Sequence, residues 1–494
     1  MRRNMPIFYS ALLLTGVNLL LRLVSTSFQV YISGRIGAAG VGLLQLVLSV
    51  GMMAMTAGTA GIRTATMYLT AEQLGKRKPQ NIHWILRGCF LYSILCSSTV
   101  ALLLYHAAPY LAVNWLGDIR SLSALRLFSV FLPVVCLSGC MTGYFTAANR
   151  IGTLAAVEIA EQLCSMTVTM CVLSLWAGND IEKACASIVF GSSLGAVLTL
   201  TCLLVLRIRE HSPVGQRHPV SRQLLHTAVP LALADDLKSG ISTTENLMVP
   251  KRLALFPGTQ EPLAVFGTVC GMVFPVLMFP AAILFGLAEL LIPELARCAA
   301  AGSKTRIAYL VQRSLKAAML YGILFGGLLF LLADKLCLWL YDSPDAGDHL
   351  RRYAILAPML YCDAITDAMT KGLGQQTACV RYNILTSSMD VALLFLLLPK
   401  WGMDGYFFSF LVTHLLNFIL SLRRLLRISN VHIPFYIPAL SLSAAVASTW
   451  GASFLPSVVG RIAAYIGLLG SLSTLLGITS REDIIWLRGM LHKK

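Results

Sequence analysis

One apolar stretch of this chain, between Arg222 and Pro250, contains Asp235, Asp236, Lys238, Ser239, Ser242 and Glu245. On a helix Asp235, Lys238 and Ser242 share a face, and Asp235 and Asp236 both neighbour Ser239 at spacings of three or four. Ionisable groups this far inside an apolar run are costly in lipid, so the stripe is expected to line a water-filled cavity. There it can grip a polar headgroup and pass a cation or proton, or Asp235 and Lys238 simply neutralise each other. Arg22 lies in the middle of another apolar run. Its planar guanidinium can hold two phosphate oxygens at once, and the competing reading is an intramembrane pair with Glu158 or Glu161. Asn383, Thr386 and Asp390 fall on one helical face, and Asp363 and Asp367 make an i, i+4 pair.

The elements that position these groups are membrane helices. Of 494 residues 56% are hydrophobic and only 13% charged, and the mean hydropathy is +0.72, which excludes a soluble domain. Fourteen apolar runs, from 7–33 to 460–479, are each about 20 residues or longer, enough to cross the hydrocarbon core. An even number puts both termini on one side. Lys and Arg favour the loops on that side by about two to one, with Lys76, Arg77, Lys78, Arg207 and Arg217 among them, so both termini are expected in the cytoplasm. The net charge of +16 is explained by those loops, and no nucleic-acid-binding motif accompanies it. The 13 cysteines include no C-x-x-C pair and no metal-type spacing, so reduced thiols packed as small hydrophobes are expected. Arg2 and Arg3 lead into what reads as a first span and not a removed signal peptide. No loop is long enough to fold as a soluble domain, and no phosphate-binding G-x-x-x-x-G-K-[ST] loop occurs. An enzyme is not expected, and no cofactor.

An offset of 225 residues pairs Arg126 with Arg351, Pro133 with Pro358 and Gly42 with Gly267. Nearly the same offset pairs "LWAGND" at Leu175 with "PKWGMD" at Pro399. The expected architecture is an all-α polytopic membrane protein of about 14 transmembrane helices. Residues 1–212 form an N-terminal six-helix lobe, 220–428 a C-terminal six-helix lobe, and 429–494 two extra helices with a basic cytoplasmic tail. Six is even, so the repeats run parallel, an arrangement that transports by rocking one half against the other.

The text "STTENLMVPKRLALF" followed by "GMVFPVLMFPAAILFGLAELLIPEL" is the most specific in the chain: Glu245, Pro250, Arg252, Gly271, Met272, Pro275, Phe279, Pro280, Pro293 and Glu294. With "NLLLRLVS", "GRIGAAGVGLLQ", "ANRIGTLAAVEIAEQ" and "KGLGQQ", it resembles the spore-type (stage V sporulation protein B-like) polysaccharide and lipid-carrier exporters. These belong to the multidrug/oligosaccharidyl-lipid/polysaccharide flippase superfamily. The resemblance covers essentially the whole chain. It implies a cargo of undecaprenyl-pyrophosphate-linked sugar, a peptidoglycan precursor of the lipid II type, moved from the cytoplasmic to the outer leaflet of a bacterial cytoplasmic membrane. It also implies that Arg22, Glu161, Asp235, Asp236, Lys238 and Glu245 contact that cargo. A coupling cation, Na+ or H+, would sit among Asp236, Asn383, Thr386 and Asp390. The chain departs from the related lipid II flippases in lacking their extra first- and second-span arginines; Phe28 and Gln29 stand nearby instead.

The runner-up is a cation-coupled multidrug antiporter of the same superfamily. Such antiporters usually have 12 spans and often a first-half acidic cation site, whereas the first span here has no Asp or Glu and two spans are appended. Those two could extend a groove for a polyprenyl tail. The expected partners are the glycolipid and membrane lipids, with no nucleic acid, and the protein is expected to be a monomer. Pro275 and Pro280 are expected to kink the eighth span, either statically or as a hinge.

Overall fold

Glycine breaks and prolines, more than loops, divide this chain into its elements. The structure, a computed structural model, describes residues 7–75, 79–178, 180–209, 221–431 and 436–478. Among these there is no strand. Helix Ile7–Thr59 is broken at Gly37 (φ 67°, ψ 178°) into α1 (7–36) and α2, which continues past Ala60 and Gly61 as Ile62–Gly75. Then follow α3 (Ile82–Tyr110), α4 (Leu122–Ala147), α5 (Ile151–Val172), α6 (Ile181–Ile208) and α7 (Ser221–Leu253). The eighth element, α8, runs in three pieces, Pro262–Gly267, Phe274–Met278 and Ala281–Ala300, with π-helical turns at Thr268–Val273. Next come α9 (Lys304–Tyr341) and α10 (Pro344–Ala354, then Ala357–Gly372). Helix Gln376–Ser429 is broken at Gly402 into α11 (376–401) and α12 (403–429), before α13 (Tyr436–Ser453) and α14 (Val458–Leu475).

Eight of the described helices are long and apolar enough to cross a membrane, or nine with the bent α8. Two of the eight are the glycine-broken pairs, and α7, α10 and α13 fall short because they are charged, split, or rich in Ser and Ala. Dividing the pairs and adding those three gives fourteen transmembrane helices among the described residues, a multi-pass membrane protein. The outward faces carry bare apolar side chains such as Leu91, Leu175 and Trp339, as helices bathed in lipid do. The basic positions Arg2, Arg3, Lys76 to Lys78, Arg217 and the tail beyond Ile478 lie outside the described residues, as does the 212–220 lobe boundary.

Two segments paired by the sequence offset share a backbone feature. Gly178 (φ 54°, ψ −122°) and Gly402 (φ 55°, ψ −134°) follow Trp176 and Trp401 and share a conformation that only glycine enters readily. Gly42 and Gly267, paired by sequence, touch: a Cβ on Gly267 would lie 2.5 Å from the Gly42 nitrogen.

Packing divides the chain into two units, Met1–Gly271 with Asp390–Tyr406, and Met272–Met389 with Phe407–Lys494. In the first, one core cluster joins Ile62 and Leu69 of α2, Ile85 and Cys89 of α3, Cys140 of α4, and Leu224 and Ala228 of α7. In the second, Ile323 of α9, Ala444 and Ala452 of α13, and Tyr465 and Leu469 of α14 pack together. The Tyr465 hydroxyl donates to the Ile323 carbonyl at 2.8 Å and passes over Gly327, where a Cβ would lie 2.1 Å from it. This ties the appended helices to α9. All 13 cysteines are free thiols, most of them buried.

The turn before α4 is pinned by Asp118, which accepts from the Arg120 amide at 2.9 Å and from its guanidinium at 2.6–3.0 Å. Burial pushes the Asp118 carboxyl up, but the hydrogen bonds and charge of Arg120 outweigh it and hold it below the usual carboxylate range. A lowered folded value stabilises above the unfolded value, and the contribution disappears as pH falls through the lowered one. Asp118→Ala is therefore expected to cost about 1 kcal/mol at neutral pH, and the wild-type advantage in melting temperature should vanish in strong acid.

Candidate functional site

α7 is held from one side. Thr243 Oγ1 donates to the Ser49 carbonyl and Asn246 Nδ2 to the Ser49 hydroxyl, both at 3.0 Å. At its C-terminal end the Arg252 guanidinium donates to the Phe395 carbonyl of α11 at 3.0 and 3.2 Å and lies 3.4 Å over that residue's ring centre. These contacts fix the helix rotation. Thr243, Leu247 and Pro250 are buried, while Asp235, Lys238 and Ser242 are exposed along the opposite face. The stripe expected from spacing is therefore formed, and among the described residues no ion pair within 4 Å joins Asp235 to Lys238. Asp236 turns away from the stripe and lies in electrostatic range of Tyr92 of α3, with its Oδ1 buried.

The structure gathers the expected cation groups differently from the sequence pattern. Asp390, only 8% exposed, has its carboxyl against that of Glu245. Asp236 is nine residues away along α7, a rise of about 13.5 Å, and is not brought to it. Thr386 Oγ1 donates to the Tyr382 and Asn383 carbonyls at 2.9 and 3.3 Å. Glu245 was legible as a polar residue in the stripe, but its pairing with Asp390 needed the α7–α11 contact. Beside them lies Cys270, whose sulfur is 3.8 Å from the Tyr406 hydroxyl.

Arg22, Ser25 and Gln29 share the face of α1 that meets α5 and α8. Gln162 of α5 donates to Ser25 Oγ at 3.1 Å, and Glu161 accepts from Thr199 Oγ1 at 2.6 Å. Arg63 and Glu161 are within electrostatic range of Glu158. Gln29 Nε2 donates to the Gly271 carbonyl at 3.2 Å. That carbonyl would ordinarily accept from residue 275, and Pro275 has no N–H to give. Sequence reading named Gln29 only as standing near the missing arginines, without a role; the four-residue spacing from Gly271 to Pro275 is the signal that marks its acceptor. Pro280 removes a second bond, and the pieces of α8 on either side of Phe279 and Pro280 meet at 63°. Hydroxyls cover neighbouring carbonyls: Tyr361 donates to Leu277 O at 2.6 Å and Tyr321 to Pro280 O at 2.7 Å. The boundary between the two packing units falls at Gly271 and Met272, inside this weakened stretch.

In the second unit an apolar groove of about 450 Å³ is formed by α9, α10 and α13. Gly326, Gly327 and Phe330 form one wall, Ile355 and Pro358 another, and Val446 and Trp450 the third. Trp450 is 68% exposed.

Residues 8–234 match the family model described as polysaccharide biosynthesis protein. The chain is 23% identical over 410 residues to stage V sporulation protein B of Bacillus subtilis (strain 168), covering 80% of this chain and 78% of the relative. It superposes on a structure titled lipid II flippase MurJ, inward closed conformation, with a TM-score of 0.70 at 13% identity, over 96% of this chain and 100% of that one. A multidrug resistance MATE family transporter of the MOP superfamily, in an inward-facing conformation, gives 0.66 at 13% identity, over 88% and 99%. The resemblance to the spore-type exporters is borne out, as is the all-α, fourteen-helix fold.

Proposed function

We propose that this protein is a flippase. It carries a polyprenyl-pyrophosphate-linked oligosaccharide, a peptidoglycan precursor of the lipid II type, from the cytoplasmic to the outer leaflet of a bacterial membrane by alternating access. The observation that carries the proposal is the apolar groove built partly by α13. It is large enough for a stretch of isoprenoid chain, and its exposed Trp450 suits the lipid boundary. The same chain offers an exposed polar stripe on α7 and the Arg22 face of α1 for the headgroup, which a lipid-linked sugar needs together with a tail seat. Both termini are assigned to the cytoplasm by the Lys and Arg bias, and the protein acts as a monomer without cofactor. The weakened α8 is the flexing element as the repeats rock. Arg22 forks the pyrophosphate, and Asp235, Lys238 and Ser242 contact the sugar.

The antiporter reading has one observation in its favour, the buried Glu245–Asp390 pair, which suits a cation-coupled cycle with any cargo. Reconstituted protein should separate the two. Protein-dependent movement of a labelled lipid-linked disaccharide between leaflets is expected, slowed by Arg22→Ala. Drug efflux with no movement of the lipid would overturn the flippase in favour of the antiporter.

A further inference from the structure

Pro275 and Pro280 lie in one helix, but the bonds around them are of two kinds. Across the Pro280 bend the main-chain ladder tightens to three-residue steps. Phe279 donates to the Val276 carbonyl at 3.3 Å, Ala282 to that of Phe279 at 3.2 Å and Ile283 to that of Pro280 at 3.4 Å. The Tyr361 and Tyr321 hydroxyls, from the same packing unit, add their bonds to the Leu277 and Pro280 carbonyls. Tyr361 is 0% exposed. The Tyr321 ring centre lies 4.5 Å from that of Phe325 and 6.2 Å from that of Tyr361. Tyrosine has few rotatable bonds, so rings packed in this way hold their hydroxyls in place. The bend at Pro280 is fastened.

The stretch before Pro275 is held by a looser donor. Gln29, which bonds the Gly271 carbonyl at 3.2 Å, is a half-buried side chain of a type rich in rotamers. Gly271 leaves room for it: a Cβ there would lie 2.0 Å from Val41 Cγ1 and 3.8 Å from Gln29 Nε2. The first packing unit ends at Gly271 along this helix, and the second begins at Met272. An uncovered backbone carbonyl is costly within a membrane, so a chain that flexes here needs a donor that can let go and return. We propose that Gln29 is a positioning residue for transport. The helix α8 flexes at Gly271–Pro275, where the Gln29 amide releases and retakes the Gly271 carbonyl, while Tyr361 and Tyr321 keep the Pro280 bend rigid. This rests on the transport reading above and on no particular cargo.

The test is the rate at which Cys270, next to Gly271, reacts with a maleimide in the full-length protein in detergent, read by mass spectrometry of the labelled peptide. Gln29→Met keeps the length of the side chain and loses its N–H, and labelling should rise about five-fold. Pro275→Ala supplies a main-chain N–H at the α-helical position for the Gly271 carbonyl. In that background Gln29→Met should change labelling by less than about two-fold. Gln29→Leu takes its place if the methionine variant aggregates. Tyr361→Phe, which removes a donor from the other bend, should leave Cys270 labelling as in the wild type. Equal effects of Gln29→Met with and without Pro275→Ala would overturn the proposal, since Gln29 would then act by packing alone. So would an effect of Tyr361→Phe as large as that of Gln29→Met, which would place the flexing at Pro280. In proteoliposomes Gln29→Met should slow leaflet exchange of labelled lipid about five-fold, and unchanged exchange would remove Gln29 from the transport cycle. The labelling needs no cargo, so wild-type protein that moves no lipid would defeat the flippase reading and leave the Cys270 result standing.

Discussion

Replacing Glu245 or Asp390 by its amide is expected to stop transport almost completely while leaving the protein folded. The two carboxyls meet inside the first packing unit, with Asp390 nearly buried. Two unit charges in such contact repel by about 4 kcal/mol at an effective dielectric constant of 20. On a cation-coupled cycle, a proton or cation lies between them when they are together and leaves when the site opens. Such a cycle would couple the movement of charge to the movement of helices. Glu245→Gln and Asp390→Asn preserve volume and a hydrogen bond but remove the charge. Losing about 3 kcal/mol of coupling corresponds to roughly 100-fold in rate. The measurement is leaflet exchange of labelled lipid in proteoliposomes under imposed sodium and pH gradients. Undiminished, gradient-driven exchange in both amide variants would remove the pair from the mechanism.

How far the sequence could anticipate this site depended on whether one helix carried the information. The exposed face of α7 was legible because Asp235, Lys238 and Ser242 lie at helical spacing within a single element. The kink in α8 was legible because Pro275 and Pro280 act on their own helix. Fourteen helices could be counted even where α1 joins α2 and α11 joins α12, since Gly37 and Gly402 break apolar runs too long for one crossing. What could not be read was pairing between helices distant in sequence. The sequence pattern placed Asp236 with Asp390 and gave Glu245 to the cargo, and only the rotation of α7, fixed by Thr243 and Asn246 on Ser49, brings Glu245 to Asp390 instead. Gln29 likewise gained meaning only once α1 was laid against the carbonyl that Pro275 leaves unbonded.

The close contact of α2 with α8 yields the second large prediction: a side chain at Gly267 should slow transport about ten-fold or more. A Cβ there would lie 2.0 Å from the Ala38 carbonyl oxygen and 2.9 Å from the Gly42 Cα, while one at Gly42 would lie 2.2 Å from the Leu263 carbonyl oxygen. Gly42 and Gly267 differ by 225 in number, and so do Ala38 and Leu263. Each helix thus presents to the other the equivalent of what it receives, the reciprocity that a two-fold axis between α2 and α8 imposes. The obstructing atoms are backbone, so no rotamer change relieves them. Overpacking costs about 1–3 kcal/mol or more, and here it falls only on the conformation in which α2 and α8 touch. A penalty of that size shifts the balance between conformations by roughly 10- to 100-fold. Gly267→Ala is expected to flip lipid at about a tenth of the wild-type rate and Gly267→Val more slowly still. In both variants Cys270, three residues along α8, should become more reactive to a membrane-impermeant maleimide, read by mass spectrometry of the labelled peptide. Unchanged flipping and unchanged Cys270 labelling in Gly267→Val would mean that the contact forms in this conformation but plays no part in the cycle. Faster labelling with normal flipping would separate the contact from the rate-limiting step.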